Sequence, residues 1–280
     1  MGTLHRFTHT GDAGGVRLAE VRDFSGSLDN VSLSIPAGAY VTFRTYGGNY
    51  AFHLKEHINR LIITLRVAIT LQNQISTVIR SSLSQYLHQV SGIDHRIRLI
   101  VPFSDLTALY ILSEEIKTPD PRDYLNGVAV VTAHYERVEP DKKQTSFIGE
   151  SMDLRKRISG VVNEVLLVDR NGCLLEGLSS NAFFVKDGKV FSAGAGVLEG
   201  VTRKTVLEIC THLVVPVEYS AVRLDEIPDC DEAFITSTSR GVLPVIKIDQ
   251  QTIGKGFPGE ITRKIMEGFT ARIDEGLEAF

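Results

Sequence analysis

Three strand-like runs separated by strong turn signals, between residues 164 and 189, constrain the fold of this chain more than any other stretch. Glu164-Val-Leu-Leu-Val-Asp169, Cys173-Leu-Leu-Glu176 and Ala182-Phe-Phe-Val185 consist of residue types that suit a buried pleated surface. Arg170-Asn171-Gly172 follows the first run and Lys186-Asp187-Gly188 the third. Asn-Gly and Asp-Gly tolerate the positive φ of a type I′ turn, so both are hairpin signals. Val128-Ala-Val-Val-Thr132 adds a further strand, and helices are expected over about 202–212 and 260–275. The second half of the chain therefore reads as rich in β-structure.

The first half alternates strand and helix signals. In Ala39-Tyr-Val-Thr-Phe-Arg-Thr-Tyr46 a period of two puts Tyr40, Thr42, Arg44 and Tyr46 on one face and Ala39, Val41 and Phe43 on the other. The polar face is able to look into a pocket. Leu54, Ile58, Leu61, Ile62, Leu65, Ala68, Ile69 and Leu71 form a helical stripe that predicts two helices between about 54 and 90, stopped by Ser91-Gly92. His95-Arg-Ile-Arg-Leu-Ile-Val101 reads as a strand with Arg96 and Arg98 opposite its apolar face. Two prolines in Thr118-Pro-Asp-Pro-Arg122 mark an interdomain connection. The expected organisation is a small α/β domain over 1–117, a connector over 118–125 and a larger domain over 126–280.

A length of 280 residues fits one or two domains, and 43 % hydrophobic content is ample for a core. The 30 basic and 34 acidic residues are dispersed and leave a formal net charge of −4, without the basic run that would neutralise a row of phosphates. Nucleic acid is not an expected partner. No apolar run approaches a membrane span or a signal-peptide core, so a cytoplasmic enzyme with no membrane association is expected. Cys173, Cys210 and Cys230 are odd in number and show no CxxC pairing, and the eight histidines lack metal spacing. Neither a disulfide framework nor a metal site is indicated.

Glu176-Gly-Leu-Ser-Ser-Asn181 puts a carboxylate at the end of a hairpin strand, and Leu198-Glu-Gly-Val-Thr202-Arg203 supplies a Gly-Val-Thr step that can open a helix. A pyridinium nitrogen needs the first and a phosphate the second, which suggests pyridoxal 5′-phosphate. The order of these motifs resembles the class IV (fold type IV) aminotransferases, the family of branched-chain aminotransferase, D-amino-acid aminotransferase and 4-amino-4-deoxychorismate lyase. Three other stretches carry the resemblance in the family's order: Glu56-His57-Ile-Asn-Arg60-Leu61, Lys143-Gln-Thr-Ser-Phe147 and Phe234-Ile-Thr-Ser-Thr238-Ser-Arg-Gly-Val-Leu-Pro244-Val245. Together they span about Ala37 to Thr262.

The resemblance implies a two-domain α/β (α+β) fold with the cofactor between the domains, and a homodimer. It implies that Lys143 is the lysine that holds the cofactor and afterwards moves a proton at the substrate, with the adjacent Lys142 as its rival. Glu176 is then the partner of the pyridine nitrogen, with Ser180 and Asn181 continuing its motif. Arg60, Val201, Thr202, Ser237 and Thr238 form the phosphate cup, where a guanidinium fork and helix N-terminal amides suit a dianion. Many family members carry a tyrosine shortly after the lysine; here the nearest aromatic is Phe147, which has no hydroxyl.

On the substrate side, Arg44, which shares a face with Tyr40, and Arg98 are the candidates to meet a carboxylate, with Arg96 as a third. The Arg-x-His pair of D-amino-acid aminotransferases is absent, and Gly-Leu-Ser-Ser-Asn181 departs from the branched-chain signature. The implied function is pyridoxal-phosphate-dependent amino-group transfer between an amino acid and a 2-oxo acid. Two alternatives stand beside it: a lyase like 4-amino-4-deoxychorismate lyase, and a protein of the same fold that binds a ligand without catalysis.

Overall fold

The computed structural model describes residues 2–9, 15–87, 93–158 and 162–280, so the expected Ser91-Gly92 stop lies outside the described residues. The chain forms two compact units, the first comprising Met1–Lys117, Lys142–Glu150 and Ile273–Phe280, the second Thr118–Asp141 and Ser151–Arg272. Residues 142–150 and 273–280, both within the 126–280 span expected to form the larger domain, fall in the first unit.

The first unit contains β1 (Gly2–His9), β2 (Val16–Phe24), α1 (Leu28–Ser32), β3 (Gly38–Tyr46), β4 (Tyr50–Phe52), α2 (Leu54–Leu65), α3 (Ile69–Leu87), β5 (His95–Pro102), β6 (Ala108–Glu115), α5 (Ser146–Glu150) and β16 (Leu277–Ala279). Among the described residues these strands make a seven-stranded antiparallel sheet in the order β16-β4-β3-β5-β6-β1-β2. The alternation of β3 is realised: Ala39, Val41 and Phe43 enter one apolar cluster with Leu54, Ile58 and Leu61 of α2 and Ile79, Leu83 and Tyr86 of α3. Tyr40, on the other face, joins Leu28, Ile100, Leu112 and Ile148. With Tyr40 at 7 % and Thr42 at 9 % exposure, that face is covered.

The second unit contains α4 (Pro121–Asn126), β7 (Val128–His134), α6 (Met152–Arg155), β8 (Val162–Val168), β9 (Leu174–Gly177), β10 (Asn181–Lys186), β11 (Lys189–Phe191), α7 (Val201–His212), β12 (Val217–Glu218), β13 (Glu232–Ser237), β14 (Gly241–Ile248), β15 (Gln251–Thr252) and most of α8 (Glu260–Glu275). Its sheet runs β12-β11-β10-β13-β14-β7-β8-β9, and a further pairing of β9 with β10 closes β10-β13-β14-β7-β8-β9 into a ring. The core is built from inward residues of these strands, among them Val128, Val130, Leu166, Val168, Ala182, Phe184, Ile235 and Leu243.

Some local expectations change. At Lys186-Asp187-Gly188-Lys189 both central residues have positive φ, 51° and 72°, as a type I′ turn requires. At Asn171-Gly172 only Gly172 does, at 79°, because Asp169 organises the turn instead: its carboxylate accepts from the Asn171 and Cys173 amides at 2.9 and 2.8 Å. The second half of the proline-rich connector is helical, with Pro121 opening α4 behind an Asp120–Asp123 capping box. Lys142 and Lys143 lie in no strand; an isolated bridge pairs Gln144 with Ala39 of β3.

Candidate active site

In the first unit the candidate residues gather on Tyr40. The 142–145 segment is stitched to the start of β3: the Tyr40 amide donates to the Lys143 carbonyl at 2.9 Å, the Thr145 amide to Gly38 at 3.0 Å, and the Gly38 amide to Thr145 Oγ1 at 3.0 Å. The close approach of Gly38 to β5, where a Cβ would lie 2.2 Å from the Val101 carbonyl, demands glycine at that position. Lys143 Nζ then lies 5.2 Å from the centroid of the Tyr40 ring, and Arg98 Cζ 4.9 Å from the same centroid. Lys142 is directed elsewhere: it is buried, and burial followed by the charge of Arg66 lowers its pKa.

α2 presents His57 and Arg60 one turn apart on the same side. His57 is fully buried, and its Nδ1 lies 3.3 Å from Arg60 Nη2. Because Arg60 can only donate, His57 Nδ1 accepts and its proton resides on Nε2. Burial, then the charges of Arg60, Lys143 and His53, hold the His57 pKa well below its ordinary value, so the imidazole is neutral at physiological pH. Burial lowers the pKa of Arg60 to about 10, opposed by Tyr40 and Glu56, which leaves it charged at neutral pH.

The candidate carboxylate arginines all carry acidic partners. Arg98, only 3 % exposed, forms an ion pair with Asp29 at 2.8 Å, and donates from Nη1 to Ser32 Oγ at 2.9 Å and from Nε to Thr42 Oγ1 at 3.1 Å. It ties α1 to the sheet beneath Tyr40. Arg44 pairs with Asp94 at 3.3 Å and covers the Tyr46 ring, about 13 Å along the strand from Tyr40. Arg96 pairs with Glu114 at 3.1 Å. Tyr40, Arg60, Lys143 and Arg98 are brought together, and Arg44 is not among them.

In the second unit Glu176 is the organising residue. Its carboxylate, 4 % exposed, accepts from Arg137 Nη1 at 2.7 Å, from the Leu198 amide at 2.9 Å and from Asn181 Nδ2 at 3.3 Å. Burying a carboxylate costs several kcal/mol unless it is paired, and Arg137 supplies the pair. Asn181 also donates to the Leu198 carbonyl at 2.8 Å, so the hairpin and the Leu198–Gly200 loop are fixed to one another. A Cβ on Gly200 would lie 2.2 Å from Asn181 Oδ1. Glycine is therefore required as the N-cap of α7, and the helix begins without any side-chain cap. Val201 and Thr202, both buried, form its first turn.

Ser180 takes a different partner from the one its motif suggests. It donates, with Ser179, to the fully buried Glu164 at 2.9 and 2.7 Å, and Arg240 reaches the same carboxylate at 2.6 Å. Burial alone would raise the Glu164 pKa, yet Arg240 and the two hydroxyls outweigh it and hold the carboxyl below the usual range. Ser237 closes β13, and its Oγ accepts from Arg240 Nε at 3.1 Å; Thr238 follows in the turn. Arg137, Glu164 and Arg240 escaped the sequence reading because their partners lie 39 and 76 residues away, where no periodicity connects them. Phe147 is buried in α5. Among the described residues no group of three or more His, Cys, Asp or Glu could hold a metal ion, and no helix is long and apolar enough to cross a membrane.

The model of the family described as amino-transferase class IV matches residues 38–248. A probable branched-chain-amino-acid aminotransferase of Thermotoga maritima is 28 % identical over 247 residues, covering 84 % of this chain and 86 % of that protein. A D-alanine aminotransferase of Bacillus licheniformis is 29 % identical over 265 residues, covering 89 % and 92 %. Among solved structures, a putative branched-chain amino acid aminotransferase from Thermotoga maritima superposes with a TM-score of 0.73 at 26 % identity, over 96 % of both chains. A branched-chain aminotransferase from Thermoproteus uzoniensis with norvaline gives 0.71 at 20 % identity over 99 % of both, a likeness of fold.

Proposed function

The chain belongs to the class IV aminotransferases, and we propose that it moves an amino group between an amino acid and a 2-oxo acid, with pyridoxal 5′-phosphate as the carrier. The observation that carries this reading is the setting of Glu176. A buried carboxylate backed by Arg137 at 2.7 Å is tied through Asn181 and the Leu198 amide to the loop that opens α7. One unit therefore offers an anion for a pyridinium nitrogen and, on the same braced loop, an uncapped helix N-terminus for a phosphate. The donor set fits the cofactor in charge at both ends.

When bound, the cofactor supplies an electron sink for the pair released at the substrate Cα. The residues of this chain supply the rest. Lys143 would hold the cofactor and, once its amine is released, carry the proton from the substrate Cα. The neutral state of His57 supports that role, since a charged imidazole so near would oppose the protonated amine. Glu176 would face the ring nitrogen. Arg60 would grip the phosphate, oriented by His57, while Val201 and Thr202 would add amides and a hydroxyl, and Ser237 and Thr238 further donors. Arg98, or Arg44, would meet the substrate carboxylate, with Tyr40 lining the substrate side. A homodimer acting in the cytoplasm completes the proposal.

The test is a screen of L- and D-amino acids with the purified, cofactor-loaded chain, with and without a 2-oxo acid. Transamination predicts that steady turnover requires the acceptor. Sustained product formation without one would favour the lyase reading.

A further inference from the structure

The turn that leads from β13 to β14 is a three-residue loop, Thr238-Ser239-Arg240, closed by the register pair Ser237 and Gly241. Gly241, which closes the turn, has a φ of +63°, a left-handed conformation that glycine adopts without steric cost. The Arg240 side chain folds back over the turn. Its Nε donates to Ser237 Oγ at 3.1 Å, Nη1 to the Asn163 carbonyl at 3.1 Å, and Nη2 to Glu164 at 2.6 Å and Ser179 Oγ at 3.0 Å. The Arg240 carbonyl in turn accepts from the Tyr124 hydroxyl at 2.8 Å. One guanidinium thus joins three segments: the β13–β14 turn, the start of β8, and the Ser179-Ser180 bend between Glu176 and Asn181.

Each contact has a geometric reason to be specific. The planar fork of arginine directs its donors along fixed directions, which a lysine cannot reproduce. Glu164 is fully buried and receives Ser179, Ser180 and Arg240 on one oxygen and its neighbour's amide on the other, so its carboxylate is saturated. Gly177 leaves room for this: a Cβ there would lie 2.3 Å from Ser180 Oγ and 2.7 Å from Glu164 Cγ.

We propose that Arg240 is a positioning residue for the phosphate end of the cofactor site, locking the Ser237–Thr238 turn to the hairpin that carries Glu176. The proposal rests on the reading of Ser237 and Thr238 as phosphate donors. Arg240 touches no reacting atom; it sets where the turn's hydroxyls and amides stand, and preorganised donors gain most from such support. Without it, Ser237 loses the contact that fixes its rotamer, and the turn loses its tie to Glu164.

The measurement is the ratio of two affinities, for pyridoxal 5′-phosphate and for pyridoxal, obtained by absorbance titration of the full cofactor-stripped chain. Arg240→Gln and Arg240→Lys are compared with wild type and with Thr238→Val; the lysine variant keeps a charge beside Glu164 and so guards against simple misfolding. The expected result is that both arginine variants lower the preference for the phosphorylated form about tenfold or more, while affinity for pyridoxal stays within about threefold. A merely structural role would weaken both ligands together or neither, and either outcome overturns the inference. If Thr238→Val keeps the full wild-type preference, the phosphate reading of the turn fails, and the inference fails with it for that separate reason.

Discussion

Glu176 and Asn181 are register partners in the bridge that closes the ring of the second unit, and their side chains are bonded to each other as well, at 3.3 Å. The residue proposed to face the cofactor ring is thereby placed by backbone pairing and by a side-chain contact at once. Glu176→Gln keeps the shape and removes the charge. Cofactor should remain bound while turnover falls on the order of 10²-fold, the scale of other lost preorganised electrostatic contacts. Kinetics unchanged from wild type would take Glu176 out of the site.

Arg137 matters to Glu176 through charge balance. Removing one member of a buried ion pair strands the other, at a cost of about 3–5 kcal/mol. Arg137→Met should lower the thermal midpoint markedly, whereas the double variant Arg137→Met with Glu176→Gln should recover part of the loss. A double variant no more stable than Arg137→Met would mean that the two residues do not depend on one another.

Lys143 and Lys142 have separate surroundings, Tyr40 and His57 for the first and Arg66 for the second. Borohydride treatment of the cofactor-loaded protein should therefore fix the cofactor permanently on Lys143, and Lys143→Ala should abolish both the attachment and nearly all turnover. Mass spectrometry of the peptides reads the site directly. An adduct on Lys142 or Lys156 would reject the assignment.

Arg60 and Arg98 should differ in which ligand they affect. Arg60→Ala should raise the cofactor dissociation constant, with activity partly restored by added cofactor. Arg98→Ala should instead raise the Michaelis constant for the substrate, roughly ten- to a hundredfold for one charge-assisted contact. Because Arg98 also pairs with Asp29 at 2.8 Å, Asp29→Asn is the necessary comparison. It loosens α1 and leaves the guanidinium in place, so a Michaelis constant raised equally by both variants would show that Arg98 acts only through the ion pair.

His57 gives the fold a defined sensitivity to acid. Its folded pKa lies well below the ordinary value, so as pH falls through about 6.5 the unfolded chain takes up a proton that the folded chain refuses. Stability is thus full above that pH and declines below it, by up to about 1.4 kcal/mol per pH unit. Urea unfolding at pH 7, 6 and 5 should show this slope in wild type and a shallower one in His57→Gln. Parallel slopes would mean that the imidazole is charged in the folded state.

What the sequence revealed followed physical range. α2 and α8 were legible because their apolar stripes recur within one turn, and β3 and β5 because alternation is local. The β1–β2 hairpin was not, since β2 is largely exposed and shows no buried face to detect. Among the candidate residues, Glu176 stands out through the motif around it. Arg137, Glu164 and Arg240 take their ion-pair partners from positions remote in sequence. Whether an arginine is available or already paired, as Arg44, Arg96 and Arg98 are, is likewise invisible before the chain folds.

The ring of the second unit also dictates an order of events during synthesis. β7 pairs in parallel with β14, Val128 against Val245, and so must await a strand made long after it. At roughly 5–20 residues per second, the delay on a ribosome is on the order of ten seconds. Throughout that time the waiting edge of β7 is an open template for pairing with a wrong strand or another chain. The Ser237–Gly241 turn delivers β14 to that edge. Substitutions that slow formation of this turn should therefore depress the yield of soluble protein during expression, even where the mature enzyme, once assembled, is as stable as the parent.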